Sequence, residues 1–187
     1  FLFFCNFITW KKMIDKAVEI NPNQNLGYRA WCRFQFLRDY QGAIIDLEKL
    51  KEYRPTDLGS SQNGDYHLEI VKAICYSAIH QKEKAIELFE NQLSNKNHST
   101  GFYDYYQLGV AYFELKNYDK AIEYHRFIVL HSPSQKERLE SQKQIADIYF
   151  NNLQNYQASI VEFSKLQQMP HTDLEAAQYR MSVARAQ

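Results

Sequence analysis

Residues 105–133, YYQLGVAYFELKNYDKAIEYHRFIVLHSP, determine the fold prediction for this chain. The stretch predicts two helices joined by a tight turn at Lys116 and Asn117. Small and large apolar residues recur on one face of each helix: Leu108, Gly109 and Tyr112 on the first, and Tyr118, Ala121, Ile122 and Ile128 on the second. Pro133 then ends the second helix, because proline cannot continue one.

The same pattern recurs along the chain and resembles the tetratricopeptide repeat (TPR), a helix–turn–helix unit of 34 residues. The resemblance implies an all-α, right-handed solenoid of antiparallel helix pairs. One such pair cannot bury its apolar face alone, so neighbouring pairs stack. The predicted segments of this single array are a partial repeat at 1–22, repeats at 25–55, 66–97, 103–133 and 138–170, and a lone helix or partial repeat at 172–187.

Spacing between the predicted repeats is irregular. Ala43 and Ala85 are 42 residues apart (85 − 43), whereas Ala85 and Ala121 are 36 apart (121 − 85). The excess falls in the polar stretch TDLGSSQNGD at 56–65. Long loops are often functional, but a flexible insertion is also tolerated at little cost. A functional protrusion and a plain solvated connection are therefore both open.

The two ends of the chain fit the repeat pattern incompletely. Asn6 and Phe7 align with the turn at Asn117 and Tyr118, which predicts a first helix ending at Phe4 and a second helix closed by Pro22. The turn NNLQN, at 151–155, is one residue longer than its counterparts. Because the units at 1–22 and 172–187 are incomplete repeats, we expect the chain to be a fragment of a longer array.

Composition favours a helical protein and argues against several classes of function. Aromatic residues make up 15% of the chain, and there are only six Gly and four Pro, which is few for a β-protein rich in turns. The 22 basic and 22 acidic residues cancel. Because nucleic-acid binders usually carry a basic excess, we predict no nucleic-acid partner. Amino-acid usage resembles that of proteins from AT-rich bacteria, and the compartment stays open.

No catalytic, cofactor-binding or metal-binding residue is predicted. Cys5, Cys32 and Cys75 are far apart, which argues against disulfides and zinc sites and favours a buried apolar role. The six His form no HExxH pair, and there is no GxSxG or phosphate-loop motif. His125 replaces an expected aromatic in its helix, so we expect it to pack or face solvent. Asn97 begins a glycosylation-type triplet that occurs often by chance.

In the TPR family, the first helices of successive repeats line a concave face that receives a peptide or a helix. By alignment, the groove residues predicted here are Tyr28, Gln35, Phe36, Ile70, Ile74, Tyr103, Tyr106, Val110, Phe113, Lys143 and Phe150. Cys32, His67, Ser77 and Asp147 fall on the same helical positions. Interface centres favour Tyr and Phe over Lys and Glu. Each residue could instead pack against a neighbouring repeat.

TPR domains that grip a chaperone's C-terminal carboxylate use Lys, Asn and Arg at set positions. The matching positions here hold Tyr28, Cys32, Val71, Tyr103 and Gln107, so no carboxylate clamp of that kind is predicted. The resemblance implies a non-catalytic scaffold whose partner is a protein or peptide, with no cofactor and no membrane association indicated. The alternatives are a spacer or regulatory arm of a larger enzyme or envelope assembly, and a stand-alone enzyme.

Overall fold

A computed structural model describes residues 2–64, 66–95, 101–169 and residue 185, with side chains described from residue 9 onward. Packing of the backbone divides the chain into two compact units. Unit 1 is Phe1–His98 and unit 2 is Ser99–Gln187. The predicted helix at 172–187, the closing Pro170 and the triplet at Asn97 lie outside the described residues, apart from helical Arg185.

Unit 1 is a succession of antiparallel helices in which each packs against the next. The described helices are α1 (Leu2–Ile20), α2 (Pro22–Cys32), α3 (Tyr40–Tyr53), α4 (Leu68–Ala78) and α5 (Lys82–Ser94). The turn predicted at Asn6 and Phe7 is wrong, because α1 runs through both residues without a break. Pro22 follows α1 and is also the first residue of α2, a position where the missing backbone N–H of proline leaves no helical hydrogen bond unmade.

Unit 2 repeats the arrangement with two helix pairs. Its described helices are α6 (Phe102–Glu114), α7 (Tyr118–His131), α8 (Gln135–Asp147) and α9 (Tyr156–Gln168). The stretch that opened the sequence analysis is the α6–α7 pair, and its turn lies where the sequence predicts it. Within the described ranges, no helix is long and apolar enough to cross a membrane.

The turns inside the helix pairs share one local design. A residue in the left-handed region comes first: Arg38, His80, Lys116 and Gln154, with φ between 51° and 64°. In three of these four turns the side chain of the next residue caps the following helix, whereas Gln81 makes no such hydrogen bond. Asp39, Asn117 and Asn155 accept hydrogen bonds from the backbone N–H three positions on, at 2.9, 3.3 and 3.1 Å. These bonds satisfy backbone N–H groups at the start of the second helix and stabilise the tight turn.

Two of the four described helix pairs contain one extra residue, and a π-helical turn accommodates it. Eight residues separate Gly109 from Asn117 (117 − 109), but nine separate Ala146 from Asn155 (155 − 146). In the longer pair, residues Ile148–Asn152 form a π-helical turn after α8. Arg33–Leu37 does the same after α2. The extra residue predicted in the turn at 151–155 is therefore taken up mainly at the end of the helix.

The insertion between α3 and α4 is folded rather than simply solvated. Leu58 is fully buried, and Ser61 is 5% exposed. Asp57 accepts from the Gly59 N–H at 2.7 Å and pairs with the His67 ring at 2.8 Å. An antiparallel bridge also joins Ser60 to His67. The stretch is thus held against unit 1 by its own contacts.

Small residues allow close approach of the helices, as predicted. Ala73, Ala85, Ala121 and Ala146 are all fully buried. Gly109 has a specific neighbour, since a Cβ atom added there would lie 3.1 Å from Nε2 of His125. His125 is 1% exposed, so of the two roles predicted for it the packed one is correct.

Two buried carboxylates are neutralised at the same position in the second helices of the two pairs with π-helical turns. Asp46 receives two hydrogen bonds from Arg29, at 2.6 and 2.9 Å, and lies 3.3 Å from Arg33. Glu162 binds Lys165, Gln142 and Arg126 at 2.9, 2.7 and 3.0 Å. Burial raises the pKa of Glu162, but these partners outweigh it and hold the pKa below its ordinary value.

Candidate functional site

In unit 2, the predicted groove residue Tyr106 connects the first helices of the two pairs. It lies on α6, and its hydroxyl hydrogen-bonds Gln144 on α8. Its ring packs edge-on against His125, with ring centroids 5.3 Å apart. Burial, followed by the nearby charge of Glu140, raises the pKa of the Tyr106 hydroxyl, so the phenol stays protonated at neutral pH. Tyr106 is half-buried.

Two other predicted groove residues of unit 2 lie at the helix-pair turns and pack there. Phe113 contacts Tyr118 at a centroid distance of 5.9 Å, and Phe150 contacts Tyr156 at 5.5 Å. In both cases an aromatic ring at the end of the first helix meets the first residue of the second. The rings of Phe113 and Phe150 are half-buried. Each ring stabilises its turn by packing and also leaves apolar surface accessible.

The remaining predicted residues of the unit 2 groove differ in exposure. Tyr103 and Lys143 are exposed, and Val110 is half-buried. Asp147 is one helical turn beyond Lys143. Burial raises the pKa of the Asp147 carboxyl, and the charge of Lys143 offsets only part of that rise. The face therefore combines aromatic rings with one lysine and one partly desolvated acid.

In unit 1, the aromatic residues of α2 form a continuous group. Tyr28 stacks on Trp31 at 6.4 Å, and Trp31 meets Phe36 edge-on at 5.2 Å. Phe36 lies in the π-helical turn and is 66% exposed, and the neighbouring Gln35 is exposed as well. Hydrogen bonding to Cys32, then burial, raises the pKa of the Tyr28 hydroxyl.

Sequence reasoning missed Trp31. Its signal was available, because it lies three residues after Tyr28 and five before Phe36. The indole Nε1 of Trp31 is buried and has no hydrogen-bond partner in the described part of the chain. A buried donor without an acceptor costs about 1–3 kcal/mol of stability.

Several groove positions on α4 are corrected by the structure. Ile70 is fully buried and packs inside unit 1, so it does not line a surface, whereas Ile74 is half-buried. His67 caps α4, accepting from the Glu69 N–H at 3.2 Å. The Ser77 hydroxyl accepts from Lys82 at 3.0 Å. Position in the repeat alone did not reveal these structural roles.

A cavity of about 570 Å³ in unit 1 is lined in part by Tyr28 of the aromatic group on α2. It opens between α1, α2, α4 and the insertion. The described residues that line it are Ile14, Gln24, Asn25, Gly27, Tyr28, Arg54, Ser60, Gln62 and Leu68. Its size falls in the range of small-molecule and side-chain pockets.

The structure offers no evident constellation for catalysis among the described residues. No group of three or more His, Cys, Asp or Glu there could hold a metal ion. Cys32 and Cys75 are buried, as predicted for packing residues, and burial raises the pKa of the Cys75 thiol to about 12. Cys5 lies outside the described side chains. A thiol with so high a pKa is a poor nucleophile at neutral pH.

Comparison with known proteins agrees with this architecture. Residues 105–126 match the family model of the tetratricopeptide repeat. A search of curated proteins finds no match. Two solved structures cover most of both chains: a MamA crystal structure (TM-score 0.67, 18% identity, 89% of this chain and 88% of that one) and a putative kinesin light chain with nearly identical TPR-like repeats from Podosopora anserina (0.63, 21%, 89% and 86%).

At these identities the likeness to solved structures concerns the fold alone. The family match is confined to the α6–α7 pair, the same stretch that gave the first signal in the sequence. The helix pairs on either side share its turn design and its buried small residues. The chain therefore carries a tetratricopeptide repeat and has an all-α, TPR-like superhelical fold.

Proposed function

We propose that this chain is a non-catalytic protein-interaction module. Its first helices would offer a concave, partly aromatic face to a peptide, a helix or a partner subunit. The TPR fold is a general protein–protein interaction module, which supports a protein partner. The division into repeats at 25–55, 66–97, 103–133 and 138–170 belongs to the same proposal, and the described helix pairs support it.

One observation carries the proposal: aromatic side chains on the first helices and their π-helical turn stay accessible to solvent. Phe36 is 66% exposed beside Trp31, and Tyr103 is 41% exposed on α6. Burying such rings against a partner is favourable, since each aromatic side chain removes a large apolar area from water. Lys and Glu dominate the exposed turns of α5 instead, where no partner is expected.

A pull-down from the native organism tests the proposal. The unchanged chain should capture a protein, and Tyr106→Ala combined with Phe113→Ala should reduce that capture by about tenfold or more, as expected for a contact centre. Because Tyr106 also packs on His125, Phe36→Ala provides a second variant at a freely exposed site. Circular dichroism should show unchanged helix content in all three proteins.

The matched control removes exposed apolar side chains from second helices. Tyr53→Ala combined with Leu130→Ala takes away two residues that are 45% and 70% exposed. Capture that survives the first-helix changes but is lost in this control would place the binding face on the other side of each unit. A screened hydrolase or transferase turnover abolished by one polar substitution would overturn the non-catalytic part of the proposal.

A further inference from the structure

The cavity of unit 1 owes part of its wall to the insertion at 56–64, which the repeat does not require. Ser60 and Gln62 line the cavity from that side. The insertion is anchored by the buried Leu58, whose carbonyl accepts from Arg54 Nη1 at 3.1 Å. The wall is therefore a fixed part of unit 1, and the cavity is formed before any ligand arrives.

Charge in the cavity is one-sided. Arg54 is the one charged side chain among the described lining residues, and none of those residues is an acid. Asp57 lies close enough for the Arg54 charge to help lower its pKa, but its carboxylate is already bonded to Gly59 and His67. Arg54 therefore supplies the one positive charge among the described residues of the cavity wall.

Hydrogen-bond donors remain available at the cavity. The guanidinium of Arg54 donates to Asn23 Oδ1 at 2.8 Å, to the Asn23 carbonyl at 2.7 Å and to Leu58. A guanidinium carries five N–H groups, so two are left within the described structure. The exposed side chains of Gln24 and Gln62, which also carry amide donors, line the same cavity. Together these groups suit a planar acceptor with two oxygens.

We propose that this cavity takes the carboxylate of an internal Asp or Glu side chain of a bound peptide. This inference rests on the proposed interaction function and adds the chemical class of the partner: an acidic segment that runs along α2, with its apolar residues against Tyr28 and Phe36. The carboxylate comes from a side chain, so the missing clamp for a C-terminal carboxylate is no obstacle.

Binding of labelled acidic peptide probes tests the inference. An acetylated and amidated hexaglutamate peptide should raise fluorescence anisotropy on binding to the full chain. A hexaglutamine peptide of the same length should bind at least about tenfold more weakly. Gln62→Glu, which places a carboxylate in the cavity, should weaken hexaglutamate binding by a similar factor. Gln62→Lys should retain or strengthen it.

Gln41→Glu is the matched control, because it adds the same charge to an exposed position of unit 1 on α3. Equal weakening by the two Gln→Glu variants would mean diffuse attraction and would overturn the site. Absence of any binding of hexaglutamate to the unchanged chain would overturn it as well. In either case, capture of a protein that depends on Phe36 or Tyr106 would leave the proposed function standing.

Discussion

At the residue scale, Gly109 and His125 form a matched pair in the α6–α7 hairpin. His125 occupies the place, eight residues beyond the helix cap, that Leu47, Phe89 and Phe163 occupy in the other pairs. All four side chains are buried. The imidazole fits because the facing residue has no Cβ atom. Sequence reasoning identified both positions but not their contact.

Gly109→Leu should destabilise the protein by roughly 1–3 kcal/mol, because the new side chain must enter the space of the His125 ring. Chemical denaturation measures the loss. Adding His125→Ala to Gly109→Leu should recover part of it, since the second change opens the space that the first one needs. A strictly additive double variant would show that the two residues do not meet.

His125 should also make stability depend on pH. Burial lowers the pKa of its ring from 6.5 to about 4 in the folded chain. Between those values the unfolded chain binds the proton and the folded chain does not, so stability falls as the pH drops from 6.5 towards 4. The loss reaches about 3 kcal/mol at pH 4, from a shift of about 2.5 pKa units at 1.36 kcal/mol per unit.

His125→Phe should flatten that part of the stability profile and raise stability at neutral pH, because it removes a buried Nδ1 without a described partner. His131→Phe, at an exposed position on the same helix, is the control and should leave the acid sensitivity in place. An unchanged profile in His125→Phe would assign the acid sensitivity to other groups.

At the element scale, each helix-pair turn contains a residue with left-handed backbone, and this conformation destabilises the hairpin. Lys116 has a φ of 60°, a region that costs a non-glycine residue about 1 kcal/mol or more. Lys116→Gly should therefore stabilise the α6–α7 hairpin by up to about 1 kcal/mol, seen as a higher melting temperature. Glu123→Gly, at an exposed position inside α7, should do the opposite by a similar amount.

The π-helical turns predict where the chain tolerates a shorter length. Deleting Asn151 should convert Ile148–Asn152 to ordinary helix and restore the eight-residue spacing, at a cost of about 1 kcal/mol. Deleting Glu114 from α6, which has no spare residue, should cost several times more. Equal losses in the two deletions would show that the π-helical turn does not store the extra residue.

The sequence predicted these elements unevenly, for physical reasons. The turns at Asp39, Asn117 and Asn155 were predictable because capping is a local interaction. The π-helical turns were not, because a one-residue excess can be placed in the turn or in the helix, and packing decides. The long helix α1 was missed for a related reason: Asn6 and Phe7 mimic a turn pair, but no left-handed residue precedes them.

At the scale of the whole molecule, fold and binding face were predictable to different degrees. The all-α repeat architecture follows from apolar periodicity, which depends on residue type alone. The binding face depends on which side chains stay exposed after the others have packed into the core. Ile70 lies in the interior and His67 caps a helix, and position in the repeat predicted neither role. Trp31 and the cavity beside Arg54 were not predicted either. The sequence left the role of the insertion at 56–64 open. The structure shows an ordered segment that forms part of the cavity wall.

Two-residue turns have a consequence for how the chain reaches its native state. Within each described helix pair, the two helices meet across a short turn that contains a left-handed residue, so the contacts within a pair are close in sequence. Chains dominated by such local contacts search few long loops and tend to fold fast. Any hairpin can therefore act as a nucleus. In α6–α7 the Asn117 cap and the ring contacts of Phe113 with Tyr118 and of Tyr112 with Tyr124 lie within the pair, which makes it the natural first site.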